Sequence, residues 1–128
     1  MPLQEADTGK GASCSIATVV IPNVQDITTK NTGEIITEDV ADGRLTAVVG
    51  TGWAWTVTFA MPQTGSHTLI NSLKAGVAGA LDLTQGGTRY TATTARSGSL
   101  NIPSNPRRIT IATIEIAVDG DPTIAAKT

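Results

Sequence analysis

Strict alternation of large and small side chains over residues 53–61, WAWTVTFAM, limits the possible folds of this chain more than any other feature. In an extended strand, successive side chains point to opposite sides of the sheet. One side of this segment therefore holds only large apolar residues: Trp53, Trp55, Val57, Phe59 and Met61. The other side holds only small ones: Ala54, Thr56, Thr58 and Ala60. We predict a strand of about 27 Å whose large side faces the core and whose small side can either approach another backbone closely or line a solvent surface.

Further segments with strand character occur along the chain, separated by turn residues. They cover residues 14–21, 24–29, 81–85, 88–94, 96–102 and 107–118. Gly86-Gly87 lies between two of them, and two consecutive glycines predict a tight hairpin because both can adopt positive φ.

The last of these segments changes its apolar phase. Ile109 and Ile111 lie on one side of an ideal strand, whereas Ile114, Ile116 and Val118 lie on the other. The pattern predicts either a β-bulge near residues 112–113 or a strand that crosses between two packing layers.

One segment has apolar residues at helical spacing after a capping residue at Thr64 or Ser66: Leu69, Ile70, Leu73 and Val77. We predict a helix over residues 66–75, ended by the glycines that follow. About six to eight strands and one helix, without βαβ spacing, indicate a mainly β fold: an antiparallel β-sandwich or barrel with one short α-helix. We predict a flexible N-terminal arm (1–13), a single β domain (14–118) and a C-terminal tail (119–128).

Residues 30–43 admit two interpretations. Residues 34–39 and 44–49 can form strands around a turn at residues 41–43, or the whole stretch can be an extended polar loop. With the small side of the predicted strand, this segment gives our candidates for a subunit interface: Glu34, Ile35, Ile36, Thr37, Glu38, Ala54, Thr56, Thr58 and Ala60. The core candidates are Trp53, Trp55, Val57, Phe59, Leu69 and Leu73.

The composition favours a weakly charged surface. The chain has 21 threonines, and only 16% of its residues are charged, well below the usual quarter. Such a surface suits a protein covered by neighbouring subunits, and it equally suits an extracellular β domain. The net charge of −2 and the lack of a basic stripe argue against sequence-specific nucleic-acid binding.

No pattern in the sequence supports catalysis or a bound cofactor. The single histidine, His67, begins the predicted helix, and the single cysteine, Cys14, has no partner for a disulfide or a zinc site. Residues 119–121 offer two carboxylates, too few for calcium. Residues 1–12 lack the apolar core of a signal peptide, and no stretch is apolar enough to span a bilayer. We expect a protein without enzymatic activity, cofactor, metal or membrane contact, made in a reducing cytoplasm.

Five segments together resemble the tail tube proteins of long-tailed bacteriophages, whose relatives form type VI secretion and contractile injection tubes. They are IPNVQDIT (21–28), residues 34–44, WAWTVTFAM (53–61), TLINSLKAG (68–76) and TIEIAVDGDPT (113–123). The resemblance implies a virion protein, made in the host bacterium, whose six subunits form a ring by continuing one another's sheets. It also implies that rings stack through the segment at 34–44 and the termini, contact other phage proteins, and let DNA pass through the pore.

Two other functions fit parts of the sequence. A capsid decoration or cement protein, binding the phage head lattice as a trimer, would also have a small β domain and an N-terminal arm. A secreted sugar-binding module would use Trp53 and Trp55 as a stacking platform, although their position on the large apolar side favours burial.

Overall fold

Eight antiparallel strands and one helix make up the part of the chain that the computed structural model describes, residues 11–104, 106–118 and 120–126. The strands are β1 (Ser13–Ile16), β2 (Val19–Val20), β3 (Val24–Val40), β4 (Gly43–Ala60), β5 (Ala78–Gln85), β6 (Thr88–Asn101), β7 (Ile111–Val118) and β8 (Thr123–Ala126). The helix α1 (Ser66–Leu73) connects β4 to β5. The predicted fold class, mainly antiparallel β with one short helix, is confirmed.

The strands form one sheet in the order β2-β1-β5-β6-β7-β4-β3, and β8 pairs with β6 beside this path. β6 belongs to both halves of the sheet. Residues 88–96 pair with β5, and residues 88–91 also pair with β8. Residues 95–101 pair with β7, and this pairing has an irregularity between Ser97 and Leu100. The sheet folds over on itself at β6, so that β1 and β5 pack against β4 and β7.

The core lies between these two halves. Trp55, Val57 and Phe59 on β4 are fully buried, and so are Ile114 and Ile116 on β7. The same cluster includes Cys14 and Ile16 of β1, Leu81 and Leu83 of β5, and Leu73 of α1. Trp53 and Leu69 are partly buried against it.

A glutamine side chain joins the two halves at one edge. Gln85, at the end of β5, donates from Nε2 to the carbonyl oxygen of Ile27 on β3 at 2.7 Å, and its Oε1 accepts a hydrogen bond from the hydroxyl of Thr29. These bonds fix the first part of β3 against β5.

Several element boundaries differ from those predicted. The expected strand 14–21 is divided into β1 and β2 because Ala17 and Thr18 form a turn with φ values of 52° and 66°. The helix ends at Leu73 rather than residue 75, and its N-cap is Gly65, with no capping side-chain hydrogen bond from Thr64 or Ser66. Gly86 has a φ of 59°, and Gln85 pairs with Thr88, as in the predicted tight hairpin.

The phase change in the last strand has a different origin from either predicted one. β7 begins only at Ile111 and pairs with β4 without a bulge. Ile109 lies before the strand and is 73% exposed, and Ile111, the first residue of β7, is half-buried on the side opposite Ile114. Neither residue therefore belongs to the core side of the strand.

The predicted arm lies largely in residues 1–10, outside the described part of the chain. In the predicted tail, residues 123–126 form β8, which pairs with Thr88–Thr91 of β6. The end of the chain is therefore partly integrated into the sheet.

Gly79 allows β5 to approach the β1–β2 turn closely. A Cβ at this position would lie 2.5 Å from the Ala17 Cβ and 2.6 Å from the Ala17 Cα. We expect Gly79→Ala to lower the free energy of unfolding by about 1–3 kcal/mol, because the backbone must shift to relieve the overlap. Urea unfolding followed by tryptophan fluorescence measures this loss. The matched control is Gly87→Ala, where the added Cβ meets nothing within 4 Å, and an equal loss there would contradict the steric explanation.

The buried thiol of Cys14 should make the free energy of unfolding depend on pH in the alkaline range. Burial, together with the nearby Asp82 carboxylate, raises the pKa of its thiol from 9.0 to about 12. Because the folded-state pKa is the higher one, the contribution of the neutral thiol is complete below about pH 9 and is lost as the pH rises toward 12. Between these limits, the free energy of unfolding of the unmodified chain should fall by about 1.4 kcal/mol per pH unit more than that of the Cys14→Ala variant. Urea unfolding of both proteins at pH 8, 9.5 and 10.5 measures this difference in free energy. Parallel dependence on pH in the two proteins would refute the role of the Cys14 thiol.

Candidate self-assembly surfaces

β3 and β4 continue beyond the sandwich as a two-stranded ribbon, which we call the outer hairpin (residues 33–50). β4 pairs with β7 only from Trp53 onward, so within the described residues the outer hairpin has no third strand. All its residues are exposed, including six large aliphatic side chains: Ile35, Ile36, Val40, Leu45, Val48 and Val49. An isolated two-stranded ribbon is marginally stable in water, and clustered exposed apolar side chains mark interaction sites. The outer hairpin is therefore the first candidate for a contact surface.

The segment predicted as a polar loop over residues 30–43 is thus largely strand, and the alternative with two strands around a turn describes it correctly. Arg44 pairs with Asp39, and Gly43 pairs with Val40, which closes the turn. Polar composition alone favoured a loop, whereas continuous pairing with β4 satisfies the backbone hydrogen bonds in a ribbon.

The pairing register divides the outer hairpin into two unlike faces, because residues paired directly across an antiparallel ladder lie on the same face. One face, which we call the acidic face, contains the pairs Glu34–Val49, Ile36–Ala47, Glu38–Leu45 and Val40–Gly43. The opposite face contains the pairs Ile35–Val48, Thr37–Thr46 and Asp39–Arg44.

The two faces also differ in charge. Asp39 and Arg44 form an ion pair of 3.2 Å on the opposite face. Such an exposed pair adds little stability, but it neutralises that face. Glu34 and Glu38 have no ion-pair partner among the described residues. The acidic face therefore combines exposed aliphatic side chains with two uncompensated carboxylates.

A bulge in β4 determines which of its residues share the acidic face with Glu34. Between the pairs Thr32–Gly52 and Glu34–Val49, β4 has one residue more than β3. Gly50, with a φ of 66°, provides the left-handed conformation at this point. Since β3 itself keeps its alternation, Glu34 lies on the same side as Thr28 and Lys30, which pair with Thr56 and Ala54.

The structure thus divides the predicted interface residues into two groups. One continuous side of β3 and β4 presents Glu34, Ile36, Glu38, Ala54, Thr56, Thr58 and Ala60. Ile35 and Thr37 lie on the opposite face of the outer hairpin. The four small residues are half-buried on β4, which pairs with β3 at one edge and with β7 at the other.

The outer edge of β3 is a further candidate. β3 has 17 residues and stands at the end of the strand order, so no described strand pairs with that edge. The Gln85 side chain donates a hydrogen bond to the Ile27 carbonyl oxygen. From there toward the hairpin turn, the residues of β3 are mostly exposed. Such an edge can accept a strand from another chain.

A groove lies at the far end of β4 from the hairpin turn. It has a volume of about 710 Å³ and lies between α1 and the segment preceding β7. Its lining includes four apolar side chains and two basic ones: Met61, Ile70, Ile102, Ile109, Arg107 and Arg108. The backbone N–H of Met61 donates to the Thr110 carbonyl at 2.9 Å, which holds the segment with Ile109 beside the end of β4.

Sequence reasoning missed this groove and the β4 half of the outer hairpin. The signal for the groove was present in the phase change, because an isoleucine out of phase with the core strand does not belong to the core. The signal for Leu45 and Val49 was their alternation in RLTAVV, which places them on one side of a strand with no predicted covering layer.

The aromatic residues form an internal cluster. Trp53 and Trp55 stack with ring centroids 6.3 Å apart, and Tyr90 lies 5.5 Å from Trp55. Trp55 is fully buried, and Trp53 donates from Nε1 to Asp121 Oδ1 at 3.1 Å. The sugar-binding alternative is therefore wrong about Trp55, which has no free ring face.

Residues of the kind that bind metals do not converge in the described part of the chain. No group of three or more histidine, cysteine, aspartate or glutamate side chains is placed to hold an ion there. His67 is exposed in the first turn of α1. No described helix has the length and apolar character needed to cross a membrane.

Comparison by sequence finds no protein-family model and no curated protein that matches this chain. Comparison of folds does find matches. A chain in the cryo-EM structure of an extracellular contractile injection system, the PVC sheath/tube terminator in the extended state, superposes with a TM-score of 0.68 at 14% identity, over 98% of this chain and 100% of that one.

Two further solved structures contain the same fold. A chain of the PVC sheath-tube complex in the extended state matches with a TM-score of 0.64 at 16% identity, covering 91% of this chain and 88% of the other. A chain in the tail of an empty gene transfer agent particle, refined with helical C6 symmetry, matches with a TM-score of 0.63 at 8% identity, covering 96% and 100%. The protein therefore has a fold found in tube and tail assemblies, as the sequence resemblance implied.

Proposed function

We propose that this protein is a structural component of a phage-like tail, which assembles with copies of itself into stacked hexameric rings that form a tube for DNA passage. The observation that best supports the proposal is the outer hairpin, an exposed ribbon whose aliphatic side chains are not covered by any element in the described part of the chain. A subunit that functioned alone would expose this surface to water permanently. The fold shared with chains of tube and tail assemblies supports the same function, and C6 symmetry in one of them supports six subunits per ring.

The proposed role is structural rather than catalytic, and its location is the particle itself. The low content of basic residues supports a pore through which DNA passes without being held at its phosphates. Partners other than further copies of the chain would be neighbouring tail proteins.

The test is negative-stain microscopy and light scattering on the purified protein over a range of concentrations. We expect rings with sixfold symmetry and, at higher concentration, short tubes. A stable monomer at high concentration, with no rings, would refute the proposal. Light scattering also tests the capsid-decoration alternative, which predicts isolated trimers that bind undecorated capsids.

A second candidate role is that of a tube terminator. It is favoured by the match to a chain of a sheath/tube terminator structure over almost the full length of both chains. A terminator would form single rings that do not stack on one another but bind to the end of a preformed tube. The same micrographs distinguish the roles, because only a tube subunit elongates by itself.

A further inference from the structure

We propose that the acidic face of the outer hairpin of one copy binds in the groove beside α1 of a second copy, so that subunits join end to end. This inference rests on the proposed self-assembly and adds the receiving surface to it.

The positions exclude binding within one molecule. β4 begins at the hairpin turn with Gly43 and ends at Ala60, and Met61 in the groove follows directly. At ~3.3 Å per residue, the 18 residues of β4 separate the two surfaces by about 55 Å. The outer hairpin therefore cannot fold back into its own groove. It lies at the opposite end of β4, where the groove of a second copy can bind it.

The chemistry of the two surfaces is complementary. The acidic face presents Ile36, Val40, Leu45 and Val49. It also presents the carboxylates of Glu34 and Glu38, which have no ion-pair partner within the described ranges. The groove presents Ile70 and Ile109, which are 36% and 73% exposed, beside the guanidinium of Arg108. Contact would bury aliphatic surface on both sides and place opposite charges together, which favours correct alignment of the partners.

The opposite face of the outer hairpin lacks this complementarity. Its only basic residue, Arg44, is paired with Asp39, so the face offers no net negative charge to the arginines. Since donor and acceptor are different surfaces, the contact is heterologous and repeats from copy to copy. Such a contact fits the stacking of subunits and does not predict a closed symmetric dimer.

Disulfide trapping on the full chain tests the inference. The variant Leu45→Cys/Ile109→Cys should give a ladder of covalent oligomers after mild oxidation and alkylation, visible on a non-reducing gel and abolished by reductant. The control is Val48→Cys/Ile109→Cys, because Val48 is 56% exposed, close to the 62% of Leu45, but lies on the opposite face. The buried Cys14 remains in place in both.

Microscopy of the same samples separates the possible failures. Rings and stacks without a ladder, or an equally strong ladder from the Val48→Cys variant, would overturn the inference and leave the proposed function standing. An unmodified chain that forms no assemblies would overturn both.

A charge exchange gives an independent measurement that does not depend on cysteine placement. Arg108→Glu should raise the protein concentration required for assembly by about tenfold, since it places like charges together. Adding Glu38→Arg should restore most of the loss. Unchanged assembly of Arg108→Glu, or no recovery in the double variant, would count against the contact.

Discussion

Replacing residues 34–49 by an Asn-Gly turn, so that these two residues join Gly33 to Gly50, should abolish assembly while the sandwich still folds. All residues of the outer hairpin are exposed, so their removal takes little from the core. Asn-Gly suits the tight turn that must replace them. We expect no rings or tubes at concentrations ten times those at which the full chain assembles (about 1.4 kcal/mol per tenfold), and an unfolding free energy within about 1 kcal/mol of the full chain.

Microscopy and urea unfolding together decide this prediction. The control variant is Thr37→Ala/Thr46→Ala, which alters a cross-strand pair on the opposite face and leaves the acidic face intact. Rings formed by the deletion variant would show that the outer hairpin is not required for assembly. Failure of the deletion variant to fold would show that the ribbon supports the sandwich.

Phe59→Ala should lower the free energy of unfolding by about 3–5 kcal/mol, the usual result of removing a buried aromatic ring. Phe59 is fully buried on β4 among residues of both halves of the sheet, and few other aromatic side chains are available to fill the space, because aromatics make up only 3% of the chain. A loss of this size approaches the whole stability of a typical domain.

Urea unfolding, with circular dichroism as a second probe, measures the effect. Thr58→Ala is the neighbouring control, since Thr58 points to the other side of β4 and is only half-buried; we expect a change within about 1 kcal/mol. Equal losses in the two variants would mean that the core does not lie on the Phe59 side.

The alternation in β4 shows how far the sequence predicts the fold. A period of two over WAWTVTFAM is imposed by burial on one side only, so the side that faces the core could be assigned before the structure was known. Trp55, Val57 and Phe59 are indeed buried, and the fold class followed from several such segments together. The division of the first strand at Ala17 and Thr18 could not be predicted in this way, because neither residue is typical of a turn with positive φ.

The candidate surfaces were harder to predict, for a different physical reason. Burial on one side of a strand produces an alternating apolar pattern that can be read in the sequence. The composition of a surface depends instead on the register in which two strands pair. The sequence predicts Glu34, Ile36 and Glu38 as candidates for an interface, but only the pairing with Val49, Ala47 and Leu45 shows that they lie on one face. The groove depends on the position of α1 relative to the segment before β7, which are distant in sequence.

A stack built by this contact is polar, because the two surfaces that join its subunits lie at opposite ends of β4. At one end the last copies present free outer hairpins, acidic and aliphatic; at the other they present vacant basic grooves. Growth at the two ends is then chemically distinct, with different rates and different salt sensitivity. A protein that stops growth needs to imitate only half of the subunit, either a groove without a hairpin or a hairpin without a groove.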